Sequence, residues 1–104
     1  MEVKYYSLEI RTFITSLDEA TQAKVVRGLT YLATYGNYAQ PPISKSLGRG
    51  LFELRTLGAV NVRLLYAFRC GGIIILHAFI KKSDRILTKD LFLTRARLKR
   101  FDLL

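Results

Sequence analysis

Lys45, Arg55, Arg63, His77, Lys81 and Lys82 are side chains of the types and spacing that phosphate chemistry uses. A cation cluster can cleave RNA without a metal, because the RNA's own 2′-hydroxyl is the nucleophile. The site must then supply a proton acceptor, cations for the pentacoordinate phosphorane, and a proton donor for the 5′-oxygen leaving group. Lysine serves as acid or base where neighbouring positive charge lowers its pKa towards neutrality, while arginine stays charged and clamps the transition state. Lys45, Arg63, Lys81 and Lys82 are therefore candidate catalytic residues. His77, the one histidine, reads either as a general base or as a core or edge histidine on an apolar strand. Arg49, Arg55, Arg85, Lys89 and Arg95 are candidates for contacts to the RNA backbone. Taken singly, each of these cations also reads as a solvated strand or loop residue; the set as a whole carries the chemistry.

Other chemistries are disfavoured by what the chain lacks. It has no phosphate-binding glycine loop of the Walker type, no HExxH and no second histidine. Half of its eight acidic residues lie within the first 42 positions, away from the cations, so a two-metal carboxylate site is not expected. Neither a metal nor another cofactor is expected.

Length and charge bound the partners. A chain of 104 residues supports a single domain, taken as 1–104, with one modest core. The formal charge of +9 is unevenly distributed: residues 1–42 are neutral, residues 43–70 carry +4 and residues 71–104 carry +5. Such asymmetry suits a polyanion or an acidic partner, since each cation near a phosphate releases a condensed counterion. The single cysteine, Cys70, excludes an intrachain disulfide and has no histidine beside it in sequence to activate it. No apolar run approaches the ~20 residues of a membrane span, and the N-terminus has no signal-peptide pattern, so a soluble cytoplasmic protein without a membrane partner is expected.

The elements that must position the cations can be read from periodicity. Residues 2–6 suit a short strand, and Ile10, Phe13, Ile14 and Leu17 begin a helical period at about Leu8. Ser16 and Glu19 have the spacing of a capping box, which predicts a second helix starting there and ending at Gly36-Asn37. Asn37 to Ser46, with Pro41-Pro42, reads as a loop that carries Lys45. The period then drops to two. Leu51 to Thr56 is a strand with Phe52 and Leu54 on one face and Glu53 and Arg55 on the other; Asn61 to Phe68 is a second. Cys70-Gly71-Gly72 reverses the chain, and Ile73 to Ile80 returns antiparallel. Leu87 to Phe101 reads as a basic amphipathic helix. The fold class is α+β, with an N-terminal helical hairpin on one face of a small, mainly antiparallel sheet and a C-terminal basic helix. The sheet's other face, which receives Glu53 and Arg55, is expected to lack helical cover.

Three ordered motifs carry a family resemblance. Gly50-Leu51-Phe52-Glu53-Leu54-Arg55, then Arg63-Leu64-Leu65-Tyr66, then Leu76-His77-Ala78-Phe79-Ile80-Lys81-Lys82 resemble the RelE/ParE superfamily of type II toxins, nearest to its phage-derived HigB-like branch. The resemblance implies a RelE-like microbial RNase toxin fold and ribosome-dependent, metal-independent cleavage of mRNA. It also implies neutralisation by a cognate antitoxin, often of helix-turn-helix type. By position, Arg63 matches the family's arginine at the scissile phosphate, Lys45 a loop lysine, and Lys82 with Lys81 the basic position after the last strand. The chain departs from the pattern at Leu51 and Glu53, where RelE has lysines, and near Thr88, where RelE has a tyrosine. A ParE-like inhibitor of DNA gyrase and a non-catalytic basic binding module of a toxin–antitoxin complex are the alternatives on the same fold.

Overall fold

The computed structural model describes residues 1–41, 43–56 and 58–104. Five strands form one sheet: β1 (Val3–Tyr5), β2 (Ser44–Gly48), β3 (Leu51–Thr56), β4 (Val62–Arg69) and β5 (Gly72–Ile80). Their spatial order is β1-β5-β4-β3-β2, with every pairing antiparallel except that of β1 with β5. Helices α1 (Leu8–Thr15) and α2 (Glu19–Tyr35) lie between β1 and β2 in the chain, and α3 (Thr88–Asp102) ends it. No helix among the described residues is long and apolar enough to cross a membrane.

The central strands are apolar on both faces because both faces are covered. Leu54, Val62, Leu64, Tyr66, Ile73 and Ile75 pack under α1 and α2, against Ile10, Ile14, Val25 and Leu32. Leu51, Leu65, Ala67, Ile74 and Leu76 face the other way and meet Leu98, with Leu91 and Phe101 beside it. Helix α3 therefore covers the face expected to be open, and the molecule has three layers. Its inward stripe of Leu91, Thr94, Leu98 and Phe101 has the three- and four-residue spacing that binds a helix to a sheet, but the many cations between these residues disguise it in the sequence.

A bulge in β5 changes which residues face α3. Leu65 pairs with His77, whereas the next residue, Tyr66, pairs with Ile75, so Leu76 is the extra residue. Leu76 and His77 consequently both point to the α3 side, and beyond them Phe79 lies there too. A regular strand would turn His77 to the opposite face. The β4–β5 reversal is as tight as expected: Cys70 and Gly71 have φ of 54° and 71°, the left-handed pair of a two-residue hairpin turn.

Two local expectations are corrected. Ser16 does not open α2; it ends α1 in helical conformation, and its hydroxyl donates to the Phe13 carbonyl at 2.6 Å. The cap is Asp18, whose backbone has left the helical region and whose carboxylate accepts from the amide and hydroxyl of Thr21 at 3.0 and 2.6 Å. The loop expected over 37–46 contains a short 3-10 turn, Gly36–Tyr38, and gives way at Ser44 to β2, so Lys45 is on an edge strand. Pro42, the second residue of the proline pair, lies outside the described residues. The Leu47-Gly48-Arg49-Gly50 stretch, with three consecutive positive φ angles from Gly48 to Gly50, is the hairpin turn that joins β2 to β3.

Two outcomes test this arrangement. A Cβ on Gly72 would stand 2.8 Å from the backbone oxygen of Glu2, the acceptor that holds β1 to Ile73. Gly72→Ala is expected to cost about 1–3 kcal/mol in urea denaturation by forcing β1 off the sheet edge, and an unchanged midpoint would show that β1 does not sit there. The Thr21 hydroxyl and amide hold the Asp18 carboxyl below the usual carboxylate range. Its folded pKa is depressed, so its contribution is present above the ordinary pKa near 4 and is lost as pH falls through the lowered value. Asp18→Ala should lower Tm at neutral pH and flatten the acid side of the Tm–pH curve; an unaltered slope would remove Asp18 from the acid transition.

Candidate nucleic-acid interface

The site begins with a carboxylate buried in the sheet. Glu53 lies at the middle of β3, facing α3, with 1% of its side chain exposed. Its Oε1 accepts from Arg55 Nε at 2.9 Å, and its Oε2 stands 3.5 Å from Arg63 Nε on β4. Arg55 and Arg63 are direct cross-strand partners, two like charges side by side, which is unfavourable unless a counter-charge stands between them. Glu53 is that counter-charge. Alternation assigns it to a solvent-facing strand surface; instead it lies buried, with Arg55 and Arg63 at its oxygens and Ile86 and Leu91 beside it in the groove lining.

Arg63 lies beside Glu53 beneath the site. It is 5% exposed, and burial holds its pKa below the usual arginine range, with Glu53 opposing that shift and Arg55 adding to it. Its hydrogen bond among the described residues runs from Nη1 to the Val62 carbonyl at 3.3 Å, while Nε faces Glu53 without making one. A buried guanidinium with donors to spare is costly, since unpaired polar groups lose their hydration without compensation.

Over this floor lies an open groove of about 340 Å³. Lys45 and Leu47 form one wall, Glu53 and Arg55 the base, and Lys81, Asp84 and Arg85 the far wall. Lys45 is aimed by its neighbours on β2. It pairs in register with Glu53; Ser44 before it shares a 2.6 Å hydrogen bond with the buried Tyr66 hydroxyl; and Arg95 of α3 donates to the Leu47 and Gly48 carbonyls, at 3.3 Å each. Lys81 follows the end of β5, where its amide donates to the Asn61 carbonyl at 2.8 Å. A second groove of about 330 Å³ adjoins the first, sharing Lys81 and Arg85 and adding Lys82 and Lys89.

The sequence-derived candidates thus separate into groups. Lys45, Arg55, Lys81 and Arg85 converge on one groove, with Arg63 behind it; Lys82 and Lys89 line its neighbour. Arg49 and Arg95 line a different groove, of about 450 Å³, with Arg69 and Lys99. His77 stands apart. It lies in the cross-strand row Lys45–Glu53–Leu65–His77, three strand spacings or roughly 14 Å from Lys45. Its Nε2 is 2.8 Å from Asp90 Oδ1 in the first turn of α3, and its ring stacks on Phe79. That pair ties α3 to the bulged strand. Tyr66 is fully buried, and burial pushes its hydroxyl pKa up.

Three contributors escaped the sequence reading: Glu53 as the buried counter-charge, Asp84 on the far wall, and Asp90 as the partner of His77. A signal existed for the first. Ser44 to Leu47 and Leu51 to Arg55 flank a Gly-x-Gly turn, and hairpin pairing across it sets Lys45 opposite Glu53 with charges at alternate positions.

Removing the carboxylate should expose the floor's dependence on it. Glu53→Ala leaves Arg63 charged and buried and is expected to cost about 3–5 kcal/mol of unfolding free energy, whereas the apolar pair Glu53→Leu with Arg63→Met should recover most of that loss. A single mutant as stable as wild type in urea denaturation would contradict the floor described.

No curated protein matches the chain. The family described as Phage derived protein Gp49-like (DUF891) matches it over residues 12–99. That span runs from within α1 into the last turns of α3 and includes every residue of the first two grooves. With so much of its length matched, the chain belongs to the phage-derived Gp49-like family, a toxin-like family in the RelE/HigB-type context.

Proposed function

We propose that the protein is the toxin of a type II toxin–antitoxin system and cleaves mRNA on the ribosome without a metal, as the HigB-like branch of the RelE/ParE superfamily does. The observation that carries this reading is the convergence of Lys45, Arg55, Lys81 and Arg85 on one open groove above the buried Arg63–Glu53 pair. Family membership adds the toxin-like context.

In this mechanism the RNA backbone runs along the groove with its scissile phosphate over Arg55. Lys45 and Lys81, on opposite walls, move the protons: one takes the proton of the 2′-hydroxyl, and the other gives one to the departing 5′-oxygen. The 2′-oxygen bonds to phosphorus as the bond to the 5′-oxygen breaks, leaving a 2′,3′-cyclic phosphate and a free 5′-hydroxyl. Arg55, backed by Arg63, stabilises the phosphorane charge. Glu53 prevents the two arginines from repelling each other out of position. Arg85 and Lys82 hold the neighbouring phosphates, with Lys89, Arg49 and Arg95 extending the basic track. The antitoxin, expected to be a helix-turn-helix protein, and the translating ribosome are the proposed partners.

The test is induction of the chain in growing bacteria with mapping of mRNA 5′ ends, with and without translation. Cuts within translated codons that vanish when ribosomes are blocked are expected; intact mRNA with a DNA-damage response would instead favour a gyrase inhibitor, and no growth phenotype a binding module. Lys45→Ala and Lys81→Ala change side chains at the groove's rim, so both should fold as wild type and lose cleavage by about 100-fold or more. Undiminished cleavage by both would sink the groove as the site.

A further inference from the structure

The groove chemistry leaves one face of α2 unexplained. The neutral sum over residues 1–42 conceals a polarity: Glu2, Glu9, Asp18 and Glu19 come first, and no acidic residue occurs again until Glu53. Lys24, Arg27, Tyr31 and Tyr35 then recur at three- and four-residue intervals, so they share one side of the helix. Lys24 and Arg27 make no ion pair among the described residues. The stripe is cationic at one end and aromatic at the other, and it spans about 16 Å.

Its cationic end opens into a groove of about 280 Å³, with Lys24, Arg27, Gly28 and Tyr31 on the helix side and Arg55 and Thr56 on the sheet side. Arg55 also lines the RNA groove, so the two grooves share this guanidinium. Gly28 is informative because packing does not require it. A Cβ there would meet the Leu54 and Thr56 side chains at 3.5 and 3.6 Å, which is ordinary contact, and glycine weakens a helix interior. What the missing side chain does is leave the groove open. At the aromatic end, the Tyr31 hydroxyl accepts from the Gln40 amide at 3.4 Å, and its ring lies 4.8 Å from that of Tyr35, tilted by 43°. Tyr35 is 52% exposed. The two rings therefore form a supported platform with an open face.

We propose that this stripe of α2 is a second RNA subsite, which holds the single strand flanking the scissile phosphate. Lys24 and Arg27 neutralise the phosphates next to the one over Arg55, and unpaired bases stack on Tyr31 and Tyr35. Continuity through Arg55 decides the occupant, because a strand seated in the first groove has its neighbouring phosphates within reach of α2. Cations in a groove with aromatic faces beside them are the parts that single-stranded nucleic acid uses, and stacking tolerates any base. The subsite therefore selects unpaired strand rather than sequence, since a duplex keeps its base faces stacked on one another. That the strand is RNA, with a scissile phosphate over Arg55, rests on the ribonuclease reading above.

The probe is a fluorescent single-stranded RNA of about 12 nucleotides, fully 2′-O-methylated so that it has no nucleophile and stays intact, titrated with the full chain and followed by anisotropy. Tyr35→Ser and Arg27→Glu change exposed side chains, and Gly28→Leu fills the groove while favouring the helix, so all three should keep the circular dichroism spectrum and keep or raise Tm. Each is expected to weaken binding about tenfold or more, and Arg27→Glu should also flatten its dependence on salt. An RNA duplex should compete poorly for the site. Wild-type affinity in both Tyr35→Ser and Gly28→Leu would overturn the subsite, even where mRNA is cut on ribosomes as proposed. Displacement of the probe by polyglutamate as readily as by unlabelled strand would overturn it too, since charge alone would then suffice. Weakened binding in the three variants of a chain that cuts no mRNA would instead uphold a single-strand RNA site on α2 and reject the nuclease reading.

Discussion

The buried carboxylate of Glu53 is the interaction on which the basic half of the molecule depends. Strand pairing sets Arg55 and Arg63 directly opposite each other on β3 and β4, and their repulsion in a low-dielectric interior would open the sheet where its strands must be continuous. Glu53, two residues before Arg55 on the same face, meets both guanidinium groups, and its register with Lys45 places a third cation beside it. One carboxylate so placed lets three cations share one end of a sheet. The cost is a desolvated ion group with one carboxylate oxygen and one arginine nitrogen lacking a hydrogen bond. A hydrophobic replacement would pack at least as well, so the group is better understood as a means of holding positive charge at a fixed position than as a source of stability.

The scaffold around it divides the labour between the sheet's two faces. Under α1 and α2 the interface is mainly apolar, with the Ser44–Tyr66 hydrogen bond buried in it. On the α3 side the apolar contacts are confined to Leu51, Leu65, Ala67, Ile74 and Leu76, and the polar groups occupy the end nearer β2 and the 81–87 segment. The bulge at Leu76 and His77 makes this division possible within β5: it keeps Leu76 in the apolar cluster and turns the next residue to the same side, where His77 meets Asp90 and anchors the start of α3. The helix is thus fastened at its first turn by His77 and at its last by Arg69, whose guanidinium grips Asp102.

Much of this architecture was legible in the sequence, and the parts that were not share a physical cause. Helices α1 and α2, strands β3, β4 and β5 and the Cys70-Gly71 turn follow from local periodicity and turn chemistry, which act within a few residues. What escaped depends on contacts distant in sequence. Lys45 reads as a loop residue because Ser44 to Gly48 has little strand propensity of its own; pairing with β3 and the Ser44–Tyr66 hydrogen bond, 22 residues apart, make it a strand. Glu53 reads as solvated because nothing within β3 reports the helix packed on that face of the sheet. His77 reads as a possible base because alternation cannot reveal a bulge. Among the candidate cations, residue type was a sound guide to which of them gather on the sheet half, and a poor guide to which of them face solvent.

The solvent-facing set follows a rule visible only in three dimensions. From residue 43 onward, five arginines are engaged within the protein. Arg55 and Arg63 serve Glu53, Arg69 serves Asp102, and Arg95 the β2–β3 turn. Arg97 donates to the Leu76 carbonyl while lying over Tyr6. The lysines of the same half, Lys45, Lys81, Lys82, Lys89 and Lys99, line grooves, as Arg49 and Arg85 do, without an ion pair among the described residues. The difference follows from the groups themselves. A planar guanidinium with five fixed donors satisfies several internal acceptors at once and tolerates partial burial, whereas an ammonium on a flexible stem is strongly hydrated and stays in water. Proton transfer needs a group whose charge can change, and lysine has that property where arginine does not. In this fold, therefore, the five engaged arginines fix the shape of the positive surface, and the lysines stay at its rim, where a polyanion would meet them first.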